Sequence, residues 1–338
     1  MKTKICLSII ASIAIVLFCI ALGSVHIPIH DVFRIILSGT FDVSLPEHIT
    51  ATEIAIVWNL RLPRVLLAFL AGSALSVSGA AMQSILRNPL ASSYTLGVSS
   101  GASLGASLVI FLGVALPFWA MLTLPVLGFT FGLGTIFLVM AIVSRLDSRM
   151  ENQTIILTGM VLSLFINAIT TLMFALFREN MQRMILWQMG SFSMRDWHTV
   201  LILTPIATMG IFVIICYRWE LDVMTFGEEQ AQTIGVNSKH VKWILLVVAA
   251  AITGSTIAFV GVIGFVDLVA PHIVRKIFGS AHKYVIPMSA VIGGSFMVLC
   301  DLVARTIVAP VELPVGAVTA IIGAPFFAYI YFGKRKSR

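Results

Sequence analysis

Apolar residues dominate ten long stretches of this chain, and short polar segments separate one stretch from the next. A helix that crosses the hydrocarbon core of a bilayer needs roughly 20 mostly apolar residues. The pattern predicts an all-α integral membrane protein with about ten transmembrane helices in a single domain, residues 1–338. The predicted spans are Ile5–Leu22, Arg64–Leu86, Val98–Leu116, Trp119–Ser144, Ile155–Phe177, Val200–Tyr217, Trp243–Val260, Val262–Phe278, Tyr284–Val303 and Pro314–Phe332.

The eighth stretch is the least regular of the ten. It is short, and it contains Asp267, Pro271, His272 and Arg275. Polar groups and proline at membrane depth are tolerated where a helix is broken or re-entrant and its backbone is covered by protein. The sequence therefore leaves the path of residues 262–283 open.

The composition supports a membrane protein. Hydrophobic residues make up 59% of the chain, charged residues make up 11%, and the mean hydropathy is +1.01. A soluble domain of ordinary composition does not bury so large an apolar fraction. The composition thus excludes the ordinary soluble classes.

The distribution of basic residues predicts the orientation. With a cytoplasmic N-terminus, 15 of the 22 Lys and Arg residues lie inside and the other 7 lie outside. This satisfies the positive-inside rule, so both termini are expected in the cytoplasm. The net charge of +7 suits anionic lipid and gives no reason to invoke nucleic acid.

A signal peptide over residues 1–22 is the alternative to a first membrane span. The apolar run of about 18 residues is longer than the usual 7–15 residues of a signal peptide, which favours a retained span.

The segment Arg61–Gly105 carries the most information. Small side chains cover most of its helix surface and predict close packing against other helices. Arg61 and Arg64 flank Pro63 at its start, and two interpretations stay open for them: anchoring at the membrane interface or docking of a partner. The small residues are Gly72, Ser73, Ala74, Ser76, Ser78, Gly79, Ala80 and Ala81.

A weak internal repeat suggests a transporter. Gly72, Ser73 and Gly79 recur 182 residues later as Gly254, Ser255 and Gly261, five predicted spans further on. An odd number of spans between copies inverts the second copy, as in many transporter folds. Chance matches between small residues are the alternative.

The chain shows no catalytic motif. The phosphate-binding pattern G-x-x-x-x-G-K-[ST] is absent, and neither the histidines nor the cysteines Cys6, Cys19, Cys216 and Cys300 have metal-ligand spacing. The Asp, Glu or His candidates within the spans are Asp267, Asp301 and His272. We therefore expect a transport subunit without a metal or cofactor of its own, energised by another protein.

The segment 218–242 is the longest internal cytoplasmic stretch. Glu228 follows Thr225 at capping-box spacing, and Gly235 suits the end of a helix. A short amphipathic helix here would present Phe226 and Ile234 to a groove on a partner. A solvated connecting loop is the alternative.

Polar residues on the fifth span are candidates for a translocation path. Ser163, Asn167, Thr170 and Thr171 fall at helical spacing. Such residues line a path or hydrogen-bond to neighbouring helices, and the sequence leaves both interpretations open.

Several ordered motifs resemble the FecCD family of ABC-transporter permeases, the membrane subunits of importers for iron-siderophores, haem and vitamin B12. They extend from the second predicted span to the last and include RLPR, SGAAMQ, RNPLA, LGVSSGA, GEEQAQTIGV, GVIGFVDLVAPHIVR, CDLVAR and ELPVGAVTAIIGAPFF. The resemblance implies a type II ABC importer permease in the bacterial cytoplasmic membrane. Its expected partners are a second permease copy or paralogue, two ATPase subunits that use ATP and Mg²⁺, and an extracytoplasmic binding protein.

The resemblance also implies roles for individual residues. It assigns ATPase coupling to Gly227, Glu228, Glu229, Ala231 and Gly235, and binding-protein docking to Arg61, Arg64 and Arg305. It places the cytoplasmic gate at Asn152, Gln153 and Thr154, beside a path along the fifth span. The substrate is expected to be a ferric chelate, either an iron-siderophore or haem, with cobalamin as the alternative.

Asp267 departs from the family pattern, which has glycine at this position. A carboxylate near the membrane needs a partner or a wet cavity, so we hypothesise a structural pair with Arg275 or Lys276. A position that lines the path is the alternative for Asp267. A secondary carrier is disfavoured because intramembrane charges are few, and a membrane enzyme because Ser/His/Asp or His/Cys residues do not cluster in the sequence. Whether the permease pairs with itself or with a paralogue stays open.

Overall fold

The fold is known from a computed structural model, which describes residues 1–23, 25, 27–115 and 122–333, with side chains through residue 328. The described residues form α-helices joined by short connections. In chain order they are α1 (Lys2–Ala21), α2 (Ile29–Phe41), α3 (Ala51–Ala55), α4 (Leu62–Ile85), α5 (Val98–Leu112), α6 (Thr123–Leu146), α7 (Asn152–Leu176), α8 (Met181–Gln188), α9 (Trp197–Cys216), α10 (Arg218–Met224), α11 (Glu228–Thr233), α12 (Ser238–Val260), α13 (Val266–Phe278), α14 (His282–Thr306) and α15 (Val315–Gly333).

Seven helices in the described part of the chain are long and apolar enough to cross a membrane: α1, the continuous run Ala51–Ile85 that includes α4, α6, α7, α9, α12 and α14. They coincide with seven of the ten predicted spans. Of the other three predictions, two correspond to shorter apolar helices, α5 and α15, and the third corresponds to the 13-residue amphipathic helix α13. The all-helical prediction is confirmed, whereas the number of crossings stays a prediction.

Helix α4 forms the centre of the bundle and packs against α9, α12, α13 and α14. In the apolar part of the run Ala51–Ile85, which includes α4, 83% of the residues are buried, against 28% for α7. Helix α4 therefore lies inside the protein and α7 at its periphery. The small residues permit this close packing: a Cβ added to Gly72 would lie 2.3 Å from the carbonyl oxygen of Gly293. The close helix packing predicted from the small residues is thus present.

The predicted internal repeat is not matched position by position. Gly79 lies inside α4, whereas Gly261 follows the last residue of α12 and has a φ angle of +79°. The two glycines therefore have different conformations. The repeat stays a prediction at the level of whole helices.

Helices α2 and α8 are two of the helices that lie outside the predicted spans. The 13-residue α2 is amphipathic and buries Val32 and Ile35 against α1 and the π-helical turn Ile56–Arg61. The eight-residue α8 precedes the turn to α9. Both are too short to span a bilayer, and a search for spans misses them for that reason.

The bundle has two ends, the coupling end and the arginine end. The coupling end carries α10, α11 and the connection to α12. The arginine end carries α2, the start of α4 and the end of α14, where Arg61, Arg64 and Arg305 lie.

Candidate functional site

The coupling end is built around the short helix α11. Gly227 precedes it with a φ angle of +127°, and Gly235 follows it with a φ angle of +92°. The N–H of Gly235 donates to Gln232 O at 3.0 Å and the N–H of Val236 donates to Ala231 O at 2.9 Å, which are the two bonds of a Schellman motif. The predicted helix end at Gly235 is confirmed.

The predicted capping box at Thr225 is wrong. The hydroxyl of Thr225 donates to Asp222 O at 2.7 Å in the preceding helix, and α11 begins three residues later, at Glu228. The N-cap of α11 is Gly227, so no side chain caps the start of this helix. Thr225 is the C-cap of α10 and therefore belongs to the earlier helix.

Residues of the coupling segment divide into anchors and exposed positions. Ala231 is fully buried, whereas Phe226 and Ile234 are exposed by 75% and 59%. Glu229 also faces outward. The two residues flank α11, and an outward-facing apolar pair beside an anchored helix is a suitable contact for a partner.

Buried Lys242 anchors α11 to the connection between α6 and α7. Its Nζ donates to Glu228 Oε1 at 2.6 Å and to Met150 O at 2.8 Å. The Lys242 side chain has no exposed surface, and that of Glu228 is 27% exposed. One lysine thus joins the predicted coupling element to the residue two positions before α7.

His282 provides a second anchor for the coupling end. Its Nδ1 lies 2.6 Å from Asp222 Oδ1, and its Nε2 lies 2.6 Å from the hydroxyl oxygen of Ser84. The backbone N–H of His282 also donates to Asp222 Oδ1 at 2.9 Å. These contacts hold α10 against α4 and α14.

The predicted gate residues Asn152, Gln153 and Thr154 form the first turn of α7. Just before them, the carboxylate of Asp147 accepts the N–H groups of Glu151 at 2.7 Å and Arg149 at 2.9 Å. The Glu151 bond lowers the pKa of Asp147 below its ordinary value. The turn that enters α7 is therefore stabilised by an ionised carboxylate.

The four predicted path residues lie on one side of α7, at the boundary between its buried and its exposed surface. Ser163 donates to Tyr94 O at 3.2 Å, and Thr170 is buried and donates to Ile166 O at 3.1 Å. Asn167 and Thr171 are exposed. Two of the four therefore pack inside the subunit and two face outward, and their role in a path stays a prediction.

An exposed stripe at heptad spacing runs along α7. The large apolar residues Leu157, Met160 and Leu164 are 60%, 41% and 70% exposed and follow the same stripe as Asn167 and Thr171. Alternate spacings of three and four residues place side chains along one helix face. The described residues leave this face exposed.

The three arginines predicted to dock a partner have partners inside the chain. Arg61 is 5% exposed and donates to Ile20 O at 3.0 Å and to Ala21 O at 2.7 Å. Arg305 donates to Cys19 O. Both guanidinium groups thus cap the last carbonyls of α1, where the helix dipole favours positive charge.

Arg64 is held by two carboxylates. Its Nη2 lies 2.8 Å from Asp301 Oδ1 and its Nη1 lies 2.7 Å from Glu312 Oε1. The Asp301 side chain is 1% exposed and that of Glu312 is 38% exposed. The arginine end is therefore an internally paired cluster with one accessible carboxylate at its edge.

The FecCD transport family model matches residues 10–332. The chain belongs to the FecCD transport family. Together with the long apolar helices, this membership makes it a multi-pass membrane protein.

This FecCD chain is similar in sequence to several permease proteins, of which three are described. It is 44% identical over 311 residues to an uncharacterized ABC transporter permease protein, YvrB of Bacillus subtilis, covering 92% of this chain and 88% of the relative. It is 35% identical to the cobalamin import system permease protein BtuC of Halobacterium salinarum, covering 87% and 78%. It is 37% identical to the Fe(3+)-citrate import system permease protein YfmE of Bacillus subtilis, covering 81% of each.

A solved structure has the same fold. It is described as an inward-facing conformation of a putative metal-chelate type ABC transporter and superposes with a TM-score of 0.82 at 27% identity. The superposition covers 98% of this chain and 99% of the other. The similarity therefore extends over the whole FecCD bundle.

Asp267 does not form the hypothesised ion pair with Arg275 or Lys276. One of its carboxylate oxygens lies 3.4 Å from Ser93 Oγ, and the other has no hydrogen-bond partner among the described residues. Arg275 instead donates to Gln83 Oε1, and the described ion pairs include none between Asp267 and Arg275 or Lys276. The hypothesis is wrong because Arg275 lies more than two helical turns further along α13 and faces α4.

Asp267 lies in the first turn of α13, where unpaired backbone N–H groups favour negative charge. It also lines a cavity of about 480 Å³ with Tyr94, Gly316 and Ala317. The carboxylate is therefore accommodated by the helix terminus and the cavity.

Proposed function

We propose that this chain is the membrane-spanning permease of an ATP-driven importer that carries a ferric chelate into the cytoplasm. Membership of the FecCD family and the resemblance to the Fe(3+)-citrate permease and to a metal-chelate type transporter support this proposal. In this proposal about ten helices cross a bacterial cytoplasmic membrane as a single domain, related by an inverted repeat, with both termini in the cytoplasm. The basic residues at the coupling end support that orientation.

The observation that carries the ATP-driven mechanism is the build of the coupling end. Phe226 and Ile234 face outward, while Lys242 and His282 tie the surrounding helices to the bundle. An ATPase subunit that binds the exposed pair would move α11 as part of the bundle and so transmit force. ATP and Mg²⁺ would be bound by that partner, and this chain would hold neither.

The gate and the path are assigned to α7. A second permease copy facing the exposed stripe would enclose a path lined by Asn167 and Thr171, with Asn152, Gln153 and Thr154 at its cytoplasmic mouth. Ser163 and Thr170 would support the path by bonds within the subunit. The link from Glu228 through Lys242 to Met150 leads from the ATPase contact to this mouth.

Docking of an extracytoplasmic binding protein is assigned to the arginine end. Arg64 is the arginine best placed for it, because its partner Glu312 is partly exposed and could be exchanged for a carboxylate of the incoming protein. Arg61 and Arg305 would act indirectly by fixing the end of α1. Binding of this kind weakens as salt rises.

Cobalamin is the second candidate substrate, and the similarity to the cobalamin permease of Halobacterium salinarum favours it. Ferric chelates and cobalamin are both bulky metal complexes. A path of exposed apolar and weakly polar residues would pass either one. The choice between them therefore requires a transport measurement.

The test compares uptake of labelled ferric siderophore, haem and cobalamin by cells that express the full chain with its partners. The variant F226E/I234E changes the exposed pair, and M194E changes a residue that is 99% exposed in the loop before α9, away from the coupling end. We expect ATP-dependent uptake of a ferric chelate, loss of uptake and of ATPase co-purification in F226E/I234E, and normal ATPase binding in M194E.

Each contrary outcome overturns a defined part of the proposal. Accumulation of cobalamin alone would replace the substrate. Uptake that survives depletion of ATP would indicate a secondary carrier. Normal ATPase binding by F226E/I234E, at equal membrane levels, would remove the assigned contact.

A further inference from the structure

Two histidines and one aspartate meet at the arginine end: His30 and Asp31 are adjacent in the sequence, and His48 lies 17 positions after Asp31. The Nε2 of His48 lies 3.0 Å from Asp31 Oδ1, and the Nε2 of His30 lies 3.3 Å from Asp31 Oδ2. One ligand atom from each residue lies within 4.8 Å of the others. Within residues 1–23, 25, 27–115 and 122–333, this is the one such group of three His, Cys, Asp or Glu side chains.

The spacing suits a tetrahedral metal ion. Two bonds of about 2.1 Å at the tetrahedral angle place neighbouring ligand atoms about 3.4 Å apart. Each histidine nitrogen lies close to this distance from one Asp31 oxygen, His48 at 3.0 Å from Oδ1 and His30 at 3.3 Å from Oδ2. Imidazole with carboxylate is a ligand set that Zn²⁺ accepts, and three protein ligands leave a fourth position for water.

The charge at the site also favours a cation. The Asp31 side chain is 10% exposed, and a buried carboxylate is costly unless it is paired. The nearest permanent positive charge is on Arg34, whose Nη1 lies 3.9 Å from Asp31 Oδ1, beyond hydrogen-bond distance. A divalent ion would neutralise the carboxylate at closer range.

The site is accessible from outside the bundle. The side chains of His30 and His48 are 66% and 56% exposed, so both rings can turn toward an ion that enters from solvent. His30 and Asp31 belong to the first turn of α2, whereas His48 belongs to the connection between α2 and α3. An ion bound here would join these two segments.

We propose that His30, Asp31 and His48 form a binding site for a divalent transition-metal ion of the Zn²⁺ class, which fastens the connection 42–50 to α2. The ion is a structural ligand of the permease and is separate from any transported chelate. The site stands whether or not the proposed substrate is correct, because it rests on the geometry of three side chains.

The test uses the full chain in detergent after removal of metal by a chelator. Zn²⁺ is titrated by calorimetry, and Co²⁺ is titrated by absorption spectroscopy as a probe of tetrahedral N/O coordination. We expect one equivalent of each metal to bind and Zn²⁺ to displace Co²⁺. Zn²⁺ should also raise the melting temperature of the wild type.

Variants of the two histidines provide the comparison. H30N and H48N should each weaken binding by at least about tenfold, since even the loss of an outer-shell partner costs that much. The matched control is H198N, because His198 is exposed and lies beside Asp196 without a second histidine. R34Q should bind equally well or more tightly, since it removes a competing positive charge from Asp31.

The proposal is overturned if the wild type shows no saturable one-equivalent binding. It is also overturned if H30N and H48N both titrate like H198N. The exposed side chain of His30 makes H30N a variant that should fold normally, and equal gel-filtration profiles would verify this.

Discussion

The ammonium nitrogen of Lys242 lies 2.6 Å from Oε1 of Glu228, and the lysine side chain has no exposed surface. The same nitrogen donates to Met150 O at 2.8 Å, so a buried charge has two oxygen partners. Removing one partner of a buried ion pair is costly because the other charge is left without compensation. The coupling segment is therefore bound to the bundle by a contact that tolerates little change.

Replacement of Glu228 by glutamine should destabilise the protein through this lysine. We expect E228Q to lower the free energy of unfolding by about 2–3 kcal/mol, somewhat less than for a fully buried pair because water reaches Glu228. The control is E229Q, which changes an exposed neighbour and should stay within about 0.5 kcal/mol of wild type. Thermal unfolding in detergent gives both values. Equal stability of the two variants would contradict the assigned pair.

Cysteine accessibility should reveal the water-facing side of α7 in the assembled transporter. In a background in which the exposed Cys6 and Cys216 are serine, we expect N167C and T171C to react with a membrane-impermeant thiol reagent at least about tenfold faster than L172C. Leu172 is 64% exposed on a different side of the same helix and would face lipid or another helix. Equal reactivity at the three positions would remove the path from this face.

Acid should weaken the arginine end through Glu312. Burial raises the pKa of Glu312, but the hydrogen bond and charge of Arg64 outweigh burial and leave the pKa below its ordinary value. A lowered folded-state pKa gives stability that is present above about pH 4.3, the ordinary value, and is lost as the pH falls further. We expect E312Q to melt below wild type near neutral pH.

The difference between E312Q and wild type should shrink as the pH falls below about 4.3, and it should disappear once the pH is below the lowered pKa of Glu312 in the folded state. Melting temperatures measured at several pH values between about 3 and 7 check this. The matched control is E179Q, an exposed glutamate. A difference between E312Q and wild type that is independent of pH would show that Glu312 acts by packing alone.

The close contact between α4 and α13 should not accept a methyl group. A Cβ at Gly79 would lie 2.0 Å from the carbonyl oxygen of Asp267, so G79A forces the two helices apart. We expect a loss of about 1–3 kcal/mol in the free energy of unfolding, as for other overpacked sites. G134A is the control, because a Cβ at Gly134 meets no atom within 4 Å. Equal melting temperatures for G79A and G134A would contradict the contact.

The sequence by itself determined the helical class, the seven long apolar helices and the family. These features follow from local properties: the length of an apolar stretch, the distribution of small residues, and motifs such as GEEQAQTIGV. The helix end at Gly235 was likewise predictable, because a left-handed φ angle is costly for other residue types. Helix α2 was missed because it is short and its apolar face covers other helices instead of crossing lipid.

Tertiary structure alone decided the partners of several buried or clustered charged side chains. Arg61 caps α1, Lys242 binds Glu228, Arg275 contacts Gln83 in place of Asp267, and His48 lies beside Asp31. These partners are between 14 and 192 positions apart in sequence. A buried charge must find a partner, but any of several distant groups could satisfy it, and only helix packing brings one of them within hydrogen-bond distance.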